Sequence, residues 1–185
     1  MFSNIIVVFL LAASTITAAP AKRAILQPWQ VTSLTSFSPS GRPESYPWLT
    51  ITTEITDPNS ITLGTGTDNS TVTSPGPNAA TNCQAKWYTG TSPLNHIWPC
   101  NPTEDGHWYM EVKAVKGQFS NTNFNLKFTR KVEVLFRGEA FRKTFSGKGH
   151  FDVPTNLGGT CGGSGVCSWG LKNGPLAITQ SEVVV

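Results

Sequence analysis

The sequence predicts an all-β fold, a single antiparallel β-barrel or sandwich stapled by two disulfides. Three observations predict it. Apolar residues recur at every second position in several short segments, and Gly, Pro, Ser and Asn clusters separate those segments. No stretch carries an apolar stripe at helical spacing. Four cysteines, Cys83, Cys100, Cys161 and Cys167, fall into two short-range pairs. Many short strands with turn signals between them make a sandwich or a barrel.

The elements follow in order. Residues 1–19 read as a secretory signal peptide, an apolar run from Ile5 to Ala13 followed by small residues ending Thr17-Ala18-Ala19. The run is too short to span a bilayer, although Met1 to Asn4 lacks the usual basic side chain. Residues 20–23 end in the dibasic pair Lys22-Arg23, either a cleavage site for a late secretory protease or a charged, frayed terminus. Residues 24–185 then form one domain of about 160 residues, with a core of ordinary size.

Within that domain, Trp29 to Phe37 read as a first strand, broken by Ser38-Pro39-Ser40-Gly41-Arg42-Pro43. Leu49, Ile51, Thr53 and Ile55 alternate with Thr50, Thr52, Glu54 and Thr56, a half-buried strand. Asp57 to Asn82 is rich in Thr, Asn, Gly, Ser and Pro. It predicts a short strand at Ile61-Thr62-Leu63 and then a long mobile loop near 64–82. Cys83 to Tyr88 and Trp108 to Val115 are strands flanking a Pro-rich loop, Pro93 to Pro102. Phe124, Leu126, Phe128, Val132, Val134 and Phe136 share one face, and Arg130 interrupts it, which predicts a bend, bulge or strand end there. Gly138 turns the chain, and Phe141, Phe145 and Phe151 mark strand residues separated by Ser146-Gly147-Lys148-Gly149. Cys167 to Leu171 and Leu176 to Val185 close the domain.

Four cysteines allow three pairings. Loop-closure entropy favours the local solution, Cys83 with Cys100 and Cys161 with Cys167, each ring contributing about 2–3 kcal/mol. A zinc site competes poorly, because the Cys-x2-Cys spacing is missing and an oxidising route favours disulfides.

Charge excludes some function classes. The chain has 14 Lys+Arg against 11 Asp+Glu, and cleavage after Arg23 leaves 12 against 11. Nucleic-acid binding by bulk charge needs a strongly basic domain, so neither nucleic acid nor a membrane surface is an expected partner. The basic residues concentrate between Lys127 and Lys148, where Lys127 and Lys131 are candidate contacts for an acidic protein or an anionic polysaccharide. The alternative is a solvated strand face protecting an edge. Of six tryptophans, Trp98 between Ile97 and Pro99 is the candidate for exposure, as a sugar-stacking platform or a protein anchor, unless it plugs one end of the fold. Asn69-Ser70-Thr71 is the only N-glycosylation sequon, so Asn69 is a candidate acceptor.

Catalytic motifs are missing. His96, His107 and His150 share no local motif with one another or with Glu104 or Glu111, as the acid–base pair of a secreted ribonuclease would need. Gly163-Ser164-Gly165 lacks the spacing of a hydrolase elbow. The glycines from Gly158 to Gly165 lack the lysine and helix of a phosphate cradle, and read as a disulfide-closed turn. The sequence predicts no enzyme, no cofactor and no metal.

Several fragments together resemble the Alternaria major-allergen-like family of fungal secreted proteins. They are Trp29-Gln30-Val31, Ser36-Phe37, Arg42-Pro43, Cys83-Gln84-Ala85, Lys86-Trp87-Tyr88, Trp98-Pro99-Cys100, Phe124-Asn125-Leu126, and Thr160-Cys161 with Cys167 before a final apolar strand. They cover most of the chain after the leader. The resemblance implies a non-enzymatic, extracellular β-barrel of allergen or plant-effector type, with plant defence proteins of the thaumatin-like type as partners. It also implies Cys83–Cys100 and Cys161–Cys167 pairing. The chain departs from the family in three ways. No cysteine precedes Cys83, so a covalent dimer is not supported; the Cys161–Cys167 ring is tighter; and the 57–82 insert is long. The leading expectation is a secreted protein that binds a host defence protein. A cell-wall glycan-binding module and a small ribonuclease-like hydrolase are the alternatives.

Overall fold

In a computed structural model of the chain, residues 25–184 are described; the signal-peptide and dibasic readings fall outside them. Thirteen strands form two antiparallel sheets and a separate hairpin. They are β1 (Trp29–Ser38), β2 (Trp48–Asp57), β3 (Ile61–Thr65), β4 (Thr71–Ser74), β5 (Asn78–Tyr88), β6 (Trp98–Pro99) and β7 (Gly106–Lys113). There follow β8 (Asn123–Phe136), β9 (Glu139–Asp152), β10 (Leu157–Cys161), β11 (Cys167–Leu171), β12 (Leu176–Ile178) and β13 (Gln180–Glu182). One sheet runs β10-β11-β1-β2-β5, with β12 on the first half of β1; the other runs β13-β9-β8-β7-β6. The sheets do not close into a barrel, so the architecture is a sandwich.

Period-two alternation produces this arrangement directly. Ile51, Thr53 and Ile55 of β2 and Cys83, Ala85 and Trp87 of β5 point inward; Trp108, Met110 and Val112 of β7 and Phe124, Leu126 and Phe128 of β8 meet them from the other sheet. Trp29 and Trp108 pack across the middle with ring centroids 4.7 Å apart. The last strands bridge the layers: Leu176–Ile178 pairs with β1, and after Thr179 the chain crosses to pair Gln180–Glu182 with β9. Gln180 reinforces the junction, accepting from the Trp29 backbone N–H at 3.1 Å and donating to the Gln27 carbonyl at 2.7 Å. The final strand read over Leu176–Val185 is thus two short strands in different sheets.

Both cysteine pairs are local. Cys83–Cys100 ties β5 to the segment after β6, and Cys161–Cys167 closes the β10–β11 hairpin. All four cysteines are consumed within the chain, a pattern compatible with an oxidising, extracellular setting.

Three segments differ from the sequence reading. The long loop expected near 64–82 contains β4 and the start of β5, and β4 pairs with β3 as a hairpin. Ile61, Leu63 and Val72 of that hairpin are buried, and Gly64 and Gly66 lie against the rings of Phe141 and Phe136. The hairpin therefore covers the distal apolar face of β8–β9. Its polar composition masked this, since only alternate residues of a two-sided hairpin are covered.

The second difference is Arg130. Strand β8 passes through it without a bulge, paired on both sides, and the side chain is buried. Nη1 donates to Asp57 Oδ2 at 2.5 Å, and Nη2 donates to Asp105 Oδ2 at 2.6 Å. Two carboxylates compensate the cation, so an arginine occupies an apolar register. Asp105 also accepts from Ser74, Asn78 and Thr103, and Trp108 Nε1 donates to Asn78 at 2.8 Å. This network sits where the sandwich core meets the β3–β4 hairpin.

The third difference is β9, which runs unbroken through Ser146-Gly147-Lys148-Gly149. Gly147 and Gly149 face inward, and an added Cβ would stand 2.9 and 2.8 Å from atoms of Ile178. Here glycine makes room for the crossing strand and does not end the element.

Candidate functional site

The outer face of β2 and β5 presents an exposed aromatic cluster. In β2, Leu49, Ile51, Thr53 and Ile55 take the inward phase, which turns Trp48, Thr50 and Thr52 outward. In β5, inward Cys83, Ala85 and Trp87 leave Gln84, Lys86 and Tyr88 outward. Trp48 pairs with Tyr88 and Thr50 with Lys86 across the ladder. Tyr46, Trp48 and Tyr88 are 52%, 37% and 51% exposed, large values for such rings.

The geometry of the cluster is specific. Trp48 and Tyr88 meet edge to face, centroids 5.5 Å apart at 87°. Lys86 Nζ lies 5.2 Å from the Trp48 ring centroid and 5.8 Å from that of Tyr46, within cation–π range of both. Tyr46 also leans on Phe37, at 6.2 Å. At the same end of the sandwich a shallow hollow of about 270 Å³ opens between Leu49, Trp87 and Phe119, rimmed by Thr89, Gly90 and Asn121. The three exposed rings and the cation thus share the outer face of β2 and β5, while the recess opens on the inward side of the same strands.

The residues singled out from the sequence lie elsewhere. Trp98 points inward opposite Met110, is half-buried against the core, and buries its indole nitrogen. Of its two readings, exposed platform or plug, the half-buried ring fits the plug; the two-residue strand β6 turns it into the sandwich and leaves Ile97 66% exposed. Lys127 and Lys131 stand on the outer face of the other sheet. Lys127 Nζ is 3.0 Å from Glu111, which also holds Lys113 at 2.6 Å, and Lys131 lies over the Tyr109 ring at 5.3 Å. Burial of Glu111 opposes its ionisation, but the hydrogen bonds and charges of both lysines outweigh that and hold its carboxyl below the ordinary range. Exposed Glu133 is lowered too, by its hydrogen bonds from Arg142.

Asn69 is exposed at the β3–β4 turn with φ of 62°, a conformation asparagine tolerates. Neighbouring Asp68 is lowered by the hydroxyl and backbone N–H of Ser70. The histidines occupy three separate surroundings. His96 neighbours Trp98, His107 neighbours Tyr109, and His150 hydrogen-bonds Asn123 and stands 4.0 Å from Asp152. Glu111 is engaged by lysines. Among the described residues, no three His, Cys, Asp or Glu side chains gather as a metal site, and no helix is long and apolar enough to cross a membrane.

The phase of β2 and β5 could have revealed the aromatic cluster, because Trp48 and Tyr88 fall on the polar side of both alternations. Their adjacency required the β2–β5 register. Comparison with family models, characterised proteins and solved structures finds no match for the chain.

Proposed function

We propose that this is a secreted, non-catalytic binding protein whose Tyr46–Trp48–Tyr88 end engages a folded host protein. One observation carries the reading: three exposed rings and Lys86 stand together on the outer face of β2 and β5. Tryptophan and tyrosine dominate the energetics of protein interfaces when they pack against a desolvated pocket. The rings offer apolar area to a partner, and Lys86 offers its charge to a partner carboxylate.

A neutral cell-wall glycan is the second candidate. It stacks best on open ring faces lying in one plane, whereas Trp48 and Tyr88 are mutually perpendicular and Lys86 stands over two of the rings. The geometry favours protein over glycan. The family resemblance and the oxidised, self-contained cysteines support the extracellular setting, and the resemblance points to a plant defence protein of the thaumatin-like type.

Binding of the mature, oxidised protein to a purified thaumatin-like protein, followed by calorimetry, tests the reading. Trp48→Ala and Tyr88→Ala should each weaken binding tenfold or more while thermal unfolding stays cooperative. Wild-type binding that survives both substitutions would overturn the assignment of the surface. Absence of binding, with retention on insoluble cell-wall polysaccharide that Trp48→Ala abolishes, would replace the protein partner by a glycan.

A further inference from the structure

The opposite face of the sandwich carries a second, chemically different surface. On the outside of β7, β8 and β9 the register lays side chains out in transverse rows. Glu111, Lys127 and Lys148 form one row; Tyr109, Thr129 and Ser146 the next; His107, Lys131 and Thr144 the one after. Rows on one face are spaced about 6.8 Å apart along the strands, and neighbours within a row about 4.8 Å apart.

Charge on this face is unbalanced. With Lys113 and Arg142 it holds five cations against Glu111, Glu133 and Asp152, while the other described residues hold seven cations against eight carboxylates. Lys127 and Lys148 are directly opposite on paired strands, an arrangement that repels. Glu111 is already shared between Lys113 and Lys127. Among the described residues Lys148 has no carboxylate in ion-pair range, and neither has Lys131. The face therefore presents separated positive points with a band of hydroxyls between them.

We propose that this face binds a linear acidic polysaccharide, with uronate carboxylates on Lys127, Lys148 and Lys131 and sugar hydroxyls on Thr129, Ser146 and Tyr109. Charge complementarity selects an anion. The hydroxyl row selects a polyol over a protein, because the one ring in the middle of the face, Tyr109, is half-buried with Lys131 over it and offers chiefly its hydroxyl. Nucleic acid needs denser charge and open rings for base stacking, whereas Lys131 covers Tyr109. The surface is independent of the aromatic end, so either assignment can fail alone.

Affinity electrophoresis of the full mature protein, with disulfides intact, in gels containing polygalacturonate tests it. Fully methyl-esterified polygalacturonate, poly-glutamate and a single-stranded DNA oligomer serve as comparisons. Retardation by polygalacturonate alone is expected, weakening roughly tenfold between about 50 and 200 mM salt as counterions compete. Lys127→Glu/Lys148→Glu should abolish it, Lys127→Gln/Lys148→Gln should reduce it about tenfold, and Trp48→Ala should leave it unchanged. The proposal is overturned if the lysine variants are retarded like wild type, or if no retardation occurs at low salt. Equal retardation by the esterified polymer overturns it as well. Tighter binding of poly-glutamate or of DNA would assign the face to an acidic protein or to nucleic acid instead.

Discussion

Arg130→Met tests the buried network between core and hairpin. The substitution keeps a long unbranched side chain and removes the cation. It leaves Asp57, whose side chain is 1% exposed, and Asp105, at 11%, facing each other without their shared partner. Asp105 retains hydrogen bonds from Ser74, Asn78 and Thr103, and one oxygen of Asp57 retains those from Asn59, but Asp57 Oδ2 is left without its donor. Breaking a buried ion pair by removing one partner costs about 3–5 kcal/mol. A domain of this size is stable by roughly 5–15 kcal/mol, so the loss is a large share of the whole. It corresponds to a melting temperature lower by roughly 6–20 °C. Urea unfolding of the oxidised protein reads the value. Asp57→Asn in the same background should recover about 1–3 kcal/mol, because it withdraws the stranded charge. A loss below about 1 kcal/mol for Arg130→Met, or no recovery in the double variant, would refute the claim that two carboxylates hold this arginine in the core.

Four further outcomes are expected. Replacing Cys83 and Cys100 by serine should cost about 3 kcal/mol and replacing Cys161 and Cys167 about 2, as the 17- and 6-residue separations dictate; non-reduced peptide mapping should find only these two linkages. Gly106→Ala should destabilise by roughly 3 kcal/mol or more in thermal unfolding, since φ is 139° and a Cβ would stand 2.0 Å from the Lys131 carbonyl oxygen. Glu111 has a lowered folded-state pKa, so its stabilisation is complete above the ordinary glutamate value and is lost as pH falls through the lower folded one. The stability gap between wild type and Glu111→Gln, followed by urea unfolding at stepped pH, should therefore close on the acid side. Protein secreted from a eukaryotic host should carry a glycan at Asn69, seen as a mass shift on that peptide and lost in Asn69→Gln.

Most strands were legible because burial imposes a two-residue period, and β2, β5, β7 and β8 each keep it across the residues that meet the opposite sheet. Three kinds of information were not local. The covering of β8–β9 by Ile61, Leu63 and Val72 depends on where a Thr- and Gly-rich hairpin folds back, which composition cannot express. Arg130 looks like an interruption until Asp57 and Asp105, 73 and 25 residues away, are brought beside it. Gly147 and Gly149 resemble a turn until Ile178 is seen to occupy their missing side chains. The disulfide pairs were legible from loop entropy. The aromatic site was legible only in part: the alternation turns Trp48 and Tyr88 outward, but attention fell on Trp98, whose loop setting hid an inward ring.

The crossing of the chain end from one sheet to the other governs when this molecule can fold. Strand β1 has β2 along one edge, but its other edge stays open over Trp29–Val31 until β12 arrives, and the Trp29 backbone waits for Gln180, 151 residues later. A chain emerging from a ribosome therefore holds β1 to β11 before the two strands that lock the sheets together exist. Contacts of such sequence separation make folding slow. The polypeptide accordingly acquires its final shape only once its last two strands have been made.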